Sequence, residues 1–127
     1  MDRQRISSGG AYEPVFGYCR AVRVGDHVYV AGTAPAMPDG ADPPADSYGQ
    51  ARRCFDIIVA ALAEAGASFE HVVRTRMYLT PEADFDEVGR AHGEIFRDIR
   101  PVNTTVFIAA LIDPRWHLEI DVDAVVA

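Results

Sequence analysis

The arrangement of apolar and polar positions names most of the local structure. Residues 117–126 alternate most cleanly. Leu118, Ile120, Val122, Ala124 and Val126 fall on one side, and His117, Glu119, Asp121, Asp123 and Val125 on the other. A period of two is the pattern of a half-buried strand. Residues 71–79 repeat it, with Val73, Thr75, Met77 and Leu79 opposing Arg74, Arg76 and Tyr78. Residues 18–24 and 27–31 are short β-rich runs joined by Gly25-Asp26, a two-residue hairpin turn. Residues 102–109 read as a further strand.

Two stretches change period. Ala51, Cys54, Ile58, Leu62 and Ala65 recur at helical spacing, widened by Phe55 and Ala61. Ser47 with Gln50 fits a capping box at the start, and Gly66 suits the left-handed position that ends a helix. Phe85, Val88, His92 and Ile95 trace a second helix, with Asp84 and Glu87 as a second capping box and Pro101 beyond its end. Between the first strands and the first helix, residues 35–46 hold four prolines, which excludes a central strand or a helix. Residues 1–15, with Ser7-Ser8-Gly9-Gly10, have no periodicity and read as a mobile arm before a single domain at 16–127.

The resulting order, β-β-loop-α-β-α-β-β, implies a two-layer α+β domain with both helices on one face of a mixed sheet. The other face is expected to carry Arg74, Arg76, Asn103, Thr105, Glu119, Asp121 and Asp123, dotted with Tyr78, Phe107 and Val125. A face so mixed suggests opposite charges paired across strands and burial against another subunit. A solvated antiparallel face is the simpler alternative.

Composition narrows the function. The 127 residues are 49% apolar and 24% charged, with a net charge of −7. So acidic a chain lacks the positive field that draws nucleic acid or an anionic membrane. No apolar run approaches the roughly 20 residues of a membrane span, and the N-terminus has no signal-peptide pattern. Cys19 and Cys54 form neither a CxxC nor a zinc spacing, and His27, His71, His92 and His117 show no ligand spacing. No metal or cofactor is expected, and a reduced cytoplasmic setting is.

With its order of motifs, the chain resembles the RidA/YjgF family, the reactive intermediate deaminases. The resemblance runs from about Phe16 to the C-terminus. It is carried by residues 17–25 (GYCRAVRVG), 28–32 (VYVAG), 63–68 (AEAGAS), 72–75 (VVRT) and 118–121 (LEID). It implies a chorismate-mutase-like fold and a homotrimer with clefts between subunits. It also implies hydrolysis of enamines and imines such as 2-aminoacrylate to a 2-oxoacid and ammonia. The family's Pro-Ala-Arg-Ser, whose arginine grips the substrate carboxylate, matches Pro101-Val102-Asn103-Thr104 here. Asn offers only neutral hydrogen bonds where guanidinium makes a bidentate charged pair. The family's Ser-Gly-Gln matches Ala31-Gly32-Thr33, its helix asparagine matches Gly89, and its acidic residue is carried onto Asp121. Tyr18 matches the family tyrosine. The chain is therefore similar to arginine-lacking branches of the family.

The resemblance gives Tyr18 and Asp121 as catalytic candidates, with Tyr18 packing at a boundary and Asp121 pairing Arg74 or Arg76 as the plain structural alternatives. Asn103, Thr105, Thr33 and Gly89 are substrate-binding candidates, and Arg20, on the Tyr18 side of its strand, is a substitute carboxylate anchor. His92 reads as a satisfied buried histidine. Glu94 is left as a residue able to enter a neighbouring subunit's cleft, and Trp116 as a pocket cap or packing residue. An imine-transforming enzyme on a small-molecule substrate is the leading expectation, followed by a trimeric metabolite-binding module. Ribonuclease or translation inhibition, also carried by the resemblance, fits the charge poorly.

Overall fold

The computed structural model describes residues 2–127. The elements run β1 (Arg3–Ile6), α1 (Tyr12–Phe16), β2 (Ala21–Val24), β3 (His27–Thr33), α2 (Ser47–Glu64), β4 (Val72–Leu79), α3 (Phe85–Phe96), β5 (Val102–Phe107) and β6 (Leu118–Val125). The six strands form one sheet in the order β1-β2-β3-β6-β4-β5. All neighbours are antiparallel except β4 and β5, which run parallel with α3 as their crossover. This is an α+β fold with helices packed on a mixed sheet.

The alternation decides what is buried. On β6, Leu118, Ile120, Val122 and Ala124 are buried while the residues between them are half-exposed. They meet Phe55, Ile58 and Leu62 of α2 and Val88, Ala91 and Phe96 of α3 in one core. Each such side chain, taken fully out of water, contributes roughly 1.5–3 kcal/mol. Phe55, Phe69, Phe96 and His92 add edge-on aromatic contacts with ring centres 5.4–6.1 Å apart, and His92 and Phe96 pack as a tilted pair at 4.7 Å.

The helix ends differ in detail from expectation. Asp46, not Ser47, caps α2, accepting from the Gly49 amide at 3.0 Å. Ser47 Oγ instead accepts from the Asp84 amide and faces His117 Nδ1 at 2.8 Å. Gln50 spends its amide on Pro44, Arg115 and His117 backbone groups. A local capping box lost to five other bonds, two at Ser47 and three at Gln50, because both residues are buried under the loop before β6. The C-terminus of α2 is as expected. Gly66, at φ +79°, follows cap residue Ala65, and the amides of Gly66 and Ala67 bond back to Ala63 and Leu62. Asp84 caps α3 as expected, but the Glu87 carboxylate accepts from the Tyr48 amide rather than returning to its own helix start.

Four further expectations are corrected. The N-terminal residues are not a detached arm: Arg3–Ile6 pair with Val24–Ala21 as the edge strand β1, and α1 follows. The Glu13 carboxylate ties this segment down by accepting from both Ser7 and Ser8. Those bonds, that from the Ser8 hydroxyl first, hold its pKa below the usual range. Tyr18 does not begin a strand; it follows Gly17, which ends α1 at φ 80°. Val73 leaves the buried side because a register shift between Val72 and Arg74 places Val72 inward instead. Finally, Asn103 and Thr105 do not share a face with Arg74, Arg76 and Asp121. The parallel register sets Asn103 beside Thr75 and Thr105 beside Met77, so both lie on the helix side, as does Phe107 beside Leu79.

Candidate functional site

Strand β5 is a sheet edge, and α3 lies across the β4–β5 pair. Between them is a cleft of about 180 Å³ lined by Met77, Phe85, Val88, Gly89, His92, Asn103 and Thr105. Three of the sequence candidates, Gly89, Asn103 and Thr105, therefore come together. Gly89 sits in the middle of α3, where glycine costs a helix about 1 kcal/mol relative to alanine. A Cβ there would meet nothing within 4 Å.

The cleft's polar wall is a connected chain. Asn103 Nδ2 donates to Thr75 Oγ1 at 2.9 Å, with the Thr75 carbonyl oxygen at 3.4 Å. Thr105 Oγ1 donates to Asn103 Oδ1 at 2.8 Å. Thr75 Oγ1 lies 2.8 Å from His92 Nε2. Burial pushes the His92 pKa down, favouring the neutral ring. Thr75 is itself fully buried. The Thr75–His92 link was missed by sequence reasoning; residues 17 positions apart carry no local signal of it.

The remaining candidates lie elsewhere. Tyr18 is half exposed at the far end of the sheet, in a shallow groove shared with Arg5, Glu13, Gly17 and Cys19. Asp121 is on the open sheet face, where it accepts from Arg76 at 2.8 Å and from the Tyr78 hydroxyl at 2.7 Å. Arg76 also reaches Asp123 at 3.5 Å, and Arg74 does so at 3.8 Å. The expected ladder of opposite charges is thus present across β4 and β6. The hydrogen bond to Asp121 raises the pKa of both Arg76 and Tyr78.

Arg20 faces neither cleft nor groove wall. One terminal nitrogen donates to the Gly32 carbonyl at 2.6 Å, and Nε is buried with no partner among the described residues. Burial lowers its pKa, partly offset by Glu119. Glu119 packs against Gly32, at the β-bulge between Val30 and Thr33, so that a Cβ on residue 32 would collide with its carboxylate. Burial raises the Glu119 pKa. The sequence reading placed this carboxyl on the same face as Asp121 but did not single it out as a site residue. Thr33 is fully buried and its hydroxyl donates to the Ala31 carbonyl, so the side chain is closed to a ligand.

Other sites offer less chemistry. Ser47 and His117 form a hydrogen-bonded pair, but Ser47 is only 2% exposed. Burial drives the Cys54 thiol far above its ordinary value, which keeps it protonated and inert. Glu94 accepts from the Tyr48 hydroxyl. Among the described residues no helix is long and apolar enough to cross a membrane.

A small α+β domain with an edge cleft beneath a crossover helix defines a recognisable class. Residues 9–126 match the family described as Endoribonuclease L-PSP. The chain belongs to this family, the RidA/YjgF proteins. It is 41% identical to the uncharacterized protein SCO2049 of Streptomyces coelicolor over 95% of this chain and 90% of that one. It superposes on Rv2704 of Mycobacterium tuberculosis, a member of the YjgF/YER057c/UK114 family, with a TM-score of 0.89 at 42% identity, covering 98% and 100% of the two chains. TdcF of Escherichia coli, solved with bound serine, matches with a TM-score of 0.80 at 25% identity over 97% and 94%.

Proposed function

We propose that the protein is a small-molecule enzyme that hydrolyses an imine, an enamine or a related intermediate in a cleft completed between copies of the chain. One observation carries this reading. Gly89, Asn103 and Thr105 sit at the β5 end of the sheet, while Tyr18 sits at the β1–β2 end. One chain cannot bring these halves together. A ring in which the β5 end of one copy meets the β1–β2 end of the next does so, and a homotrimer is the ring the family resemblance implies. Exposed Val102, Val106, Phe107 and Ile112 near one end, and Tyr12, Val15, Phe16 and Tyr18 at the other, supply apolar surface for such a contact. TdcF, with its bound serine, supports a small-molecule ligand.

The reaction needs little machinery because a C=N carbon is already electrophilic. Water adds to that carbon, the nitrogen takes a proton, and the resulting carbinolamine expels ammonia as its hydroxyl proton leaves and C=O forms. A carboxyl whose pKa is raised toward neutrality is suited to moving these protons. Glu119 has that property, whereas Asp121 is engaged by Arg76 and Tyr78. Glu119, beside Gly32 on the open face and close to Arg20 as Tyr18 is, belongs with the Tyr18 half of the shared cleft. It is assigned the proton transfers, Asp121 the positioning of its face, and the Tyr18 phenol the orientation of the substrate nitrogen.

The test is ammonia release from 2-aminoacrylate and other imines generated in situ, above the spontaneous rate. Turnover of at least one imine, lost in Glu119→Gln and retained in Asp121→Asn, is expected. No rate above background for any of them would overturn the enzymatic reading and leave a metabolite-binding module.

A further inference from the structure

The geometry points to an uncharged, amide-like group as the ligand of the cleft between α3 and β5, and to exclusion of a carboxylate there. This inference rests on the proposed function's choice of that cleft and names the substrate class it takes.

The assignment follows from where each proton goes. Asn103 faces the Thr75 hydroxyl and, at 3.4 Å, the Thr75 carbonyl. A carbonyl oxygen cannot donate, so the Asn103 NH₂ must point at Thr75 and its Oδ1 away. Thr75 Oγ1 then accepts from Asn103, and its own proton is assigned to His92 Nε2, 2.8 Å away, the neutral ring being the form that burial favours. That assignment puts the ring hydrogen on Nδ1, for which no partner stands among the described residues. At the other end Thr105 gives its hydroxyl proton to Asn103 Oδ1. Both its lone pairs stay free, and Oδ1 keeps one more.

The wall therefore offers acceptors on Asn103 and Thr105 and one neutral donor on His92. None of the lining residues carries a cation. A carboxylate entering this space would meet oxygen lone pairs and the apolar walls of Met77 and Val88. Burying an ion without a partner is costly. A group with N–H beside C=O meets complementary partners on both sides. The volume of about 180 Å³ corresponds to roughly six water molecules, which suits a ligand of a few heavy atoms. The empty space above Gly89 belongs to this cleft.

Propionamide and propionate, nearly the same shape, are the probes. Amide chemical shifts of the full chain are followed as each is added at millimolar concentration. Propionamide is expected to shift Gly89, Asn103 and Thr105, and propionate to leave them in place. Thr105→Val, which keeps a β-branched side chain on its strand, is expected to weaken propionamide roughly five- to tenfold. Gly89→Leu, placed where a Cβ meets no atom, is expected to abolish binding in a folded protein. Propionate binding as tightly as propionamide, neither probe shifting the cleft, or Thr105→Val binding unchanged would each overturn the inference. Because no turnover is involved, propionamide binding without ammonia release would remove only the enzymatic reading. Ammonia release with propionate preferred would remove only this one.

Discussion

Thr75 and His92 are joined by a 2.8 Å hydrogen bond that ties α3 to the floor of the sheet. The same hydroxyl accepts from Asn103, so one buried oxygen links a helix, a central strand and an edge strand. Thr75→Val keeps the shape but strands both partners. A loss of about 1–3 kcal/mol is expected, read as a lower urea midpoint with an unchanged m-value. Thr75→Ser, which keeps the hydroxyl, is expected to retain most of the stability. Equal midpoints for wild type and Thr75→Val would contradict the link.

His92 also sets a pH dependence. Its folded pKa lies below the ordinary 6.5 because burial disfavours the cation. The unfolded chain therefore takes up the proton first. Stability from this group is fully present above pH 6.5, falls as pH drops through that value, and levels off below the folded pKa. Urea midpoints between pH 8 and 5 are expected to fall less steeply in His92→Gln than in wild type.

Glu119 acts with the opposite sign. Its folded pKa is raised, so the folded chain holds the proton more tightly and stability declines as pH rises from about 4.5 through the folded value. Glu119→Gln removes the cost of burying the charge. The variant is expected to melt higher than wild type at pH 7, with the difference vanishing in acid. Combined with lost imine turnover, that is a trade of stability for activity. A lower melting temperature at pH 7 would show that the attraction of the Arg20 charge outweighs burial.

Tyr78 reports on Asp121. Its phenol donates to that carboxylate at 2.7 Å, and this bond raises its pKa. Asp121→Asn removes the charge that holds the proton, so one tyrosine is expected to titrate closer to 10 in the variant by ultraviolet absorbance. An unchanged titration would place the phenol's partner elsewhere.

Much of this fold is legible in the sequence because binary patterning and burial agree. The period-two runs at 72–79 and 118–125, the α2 stripe and the Gly66 terminus all depend on neighbours within a few residues. What escaped depends on pairing between distant residues. Nothing local says that β5 runs parallel to β4, and that register moves Asn103 and Thr105 from the open face to the helix side. Nothing local predicts the slip at Val73, or that Arg3–Ile6 finds a partner in β2. The candidate site divides likewise. Gly89, Asn103 and Thr105 do converge, but Thr33 is sealed in the core, Arg20 is spent on Gly32, and the half-buried carboxyl is Glu119.

The proposed function rests on a site divided between opposite ends of one sheet, and sedimentation equilibrium tests that division most directly. If the β5 end of one copy completes its cleft with the β1–β2 end of the next, the 127-residue chain sediments at three times its 13.9 kDa mass. A single species at 13.9 kDa across the concentration range would leave Tyr18 and Asn103 permanently apart and contradict the shared cleft.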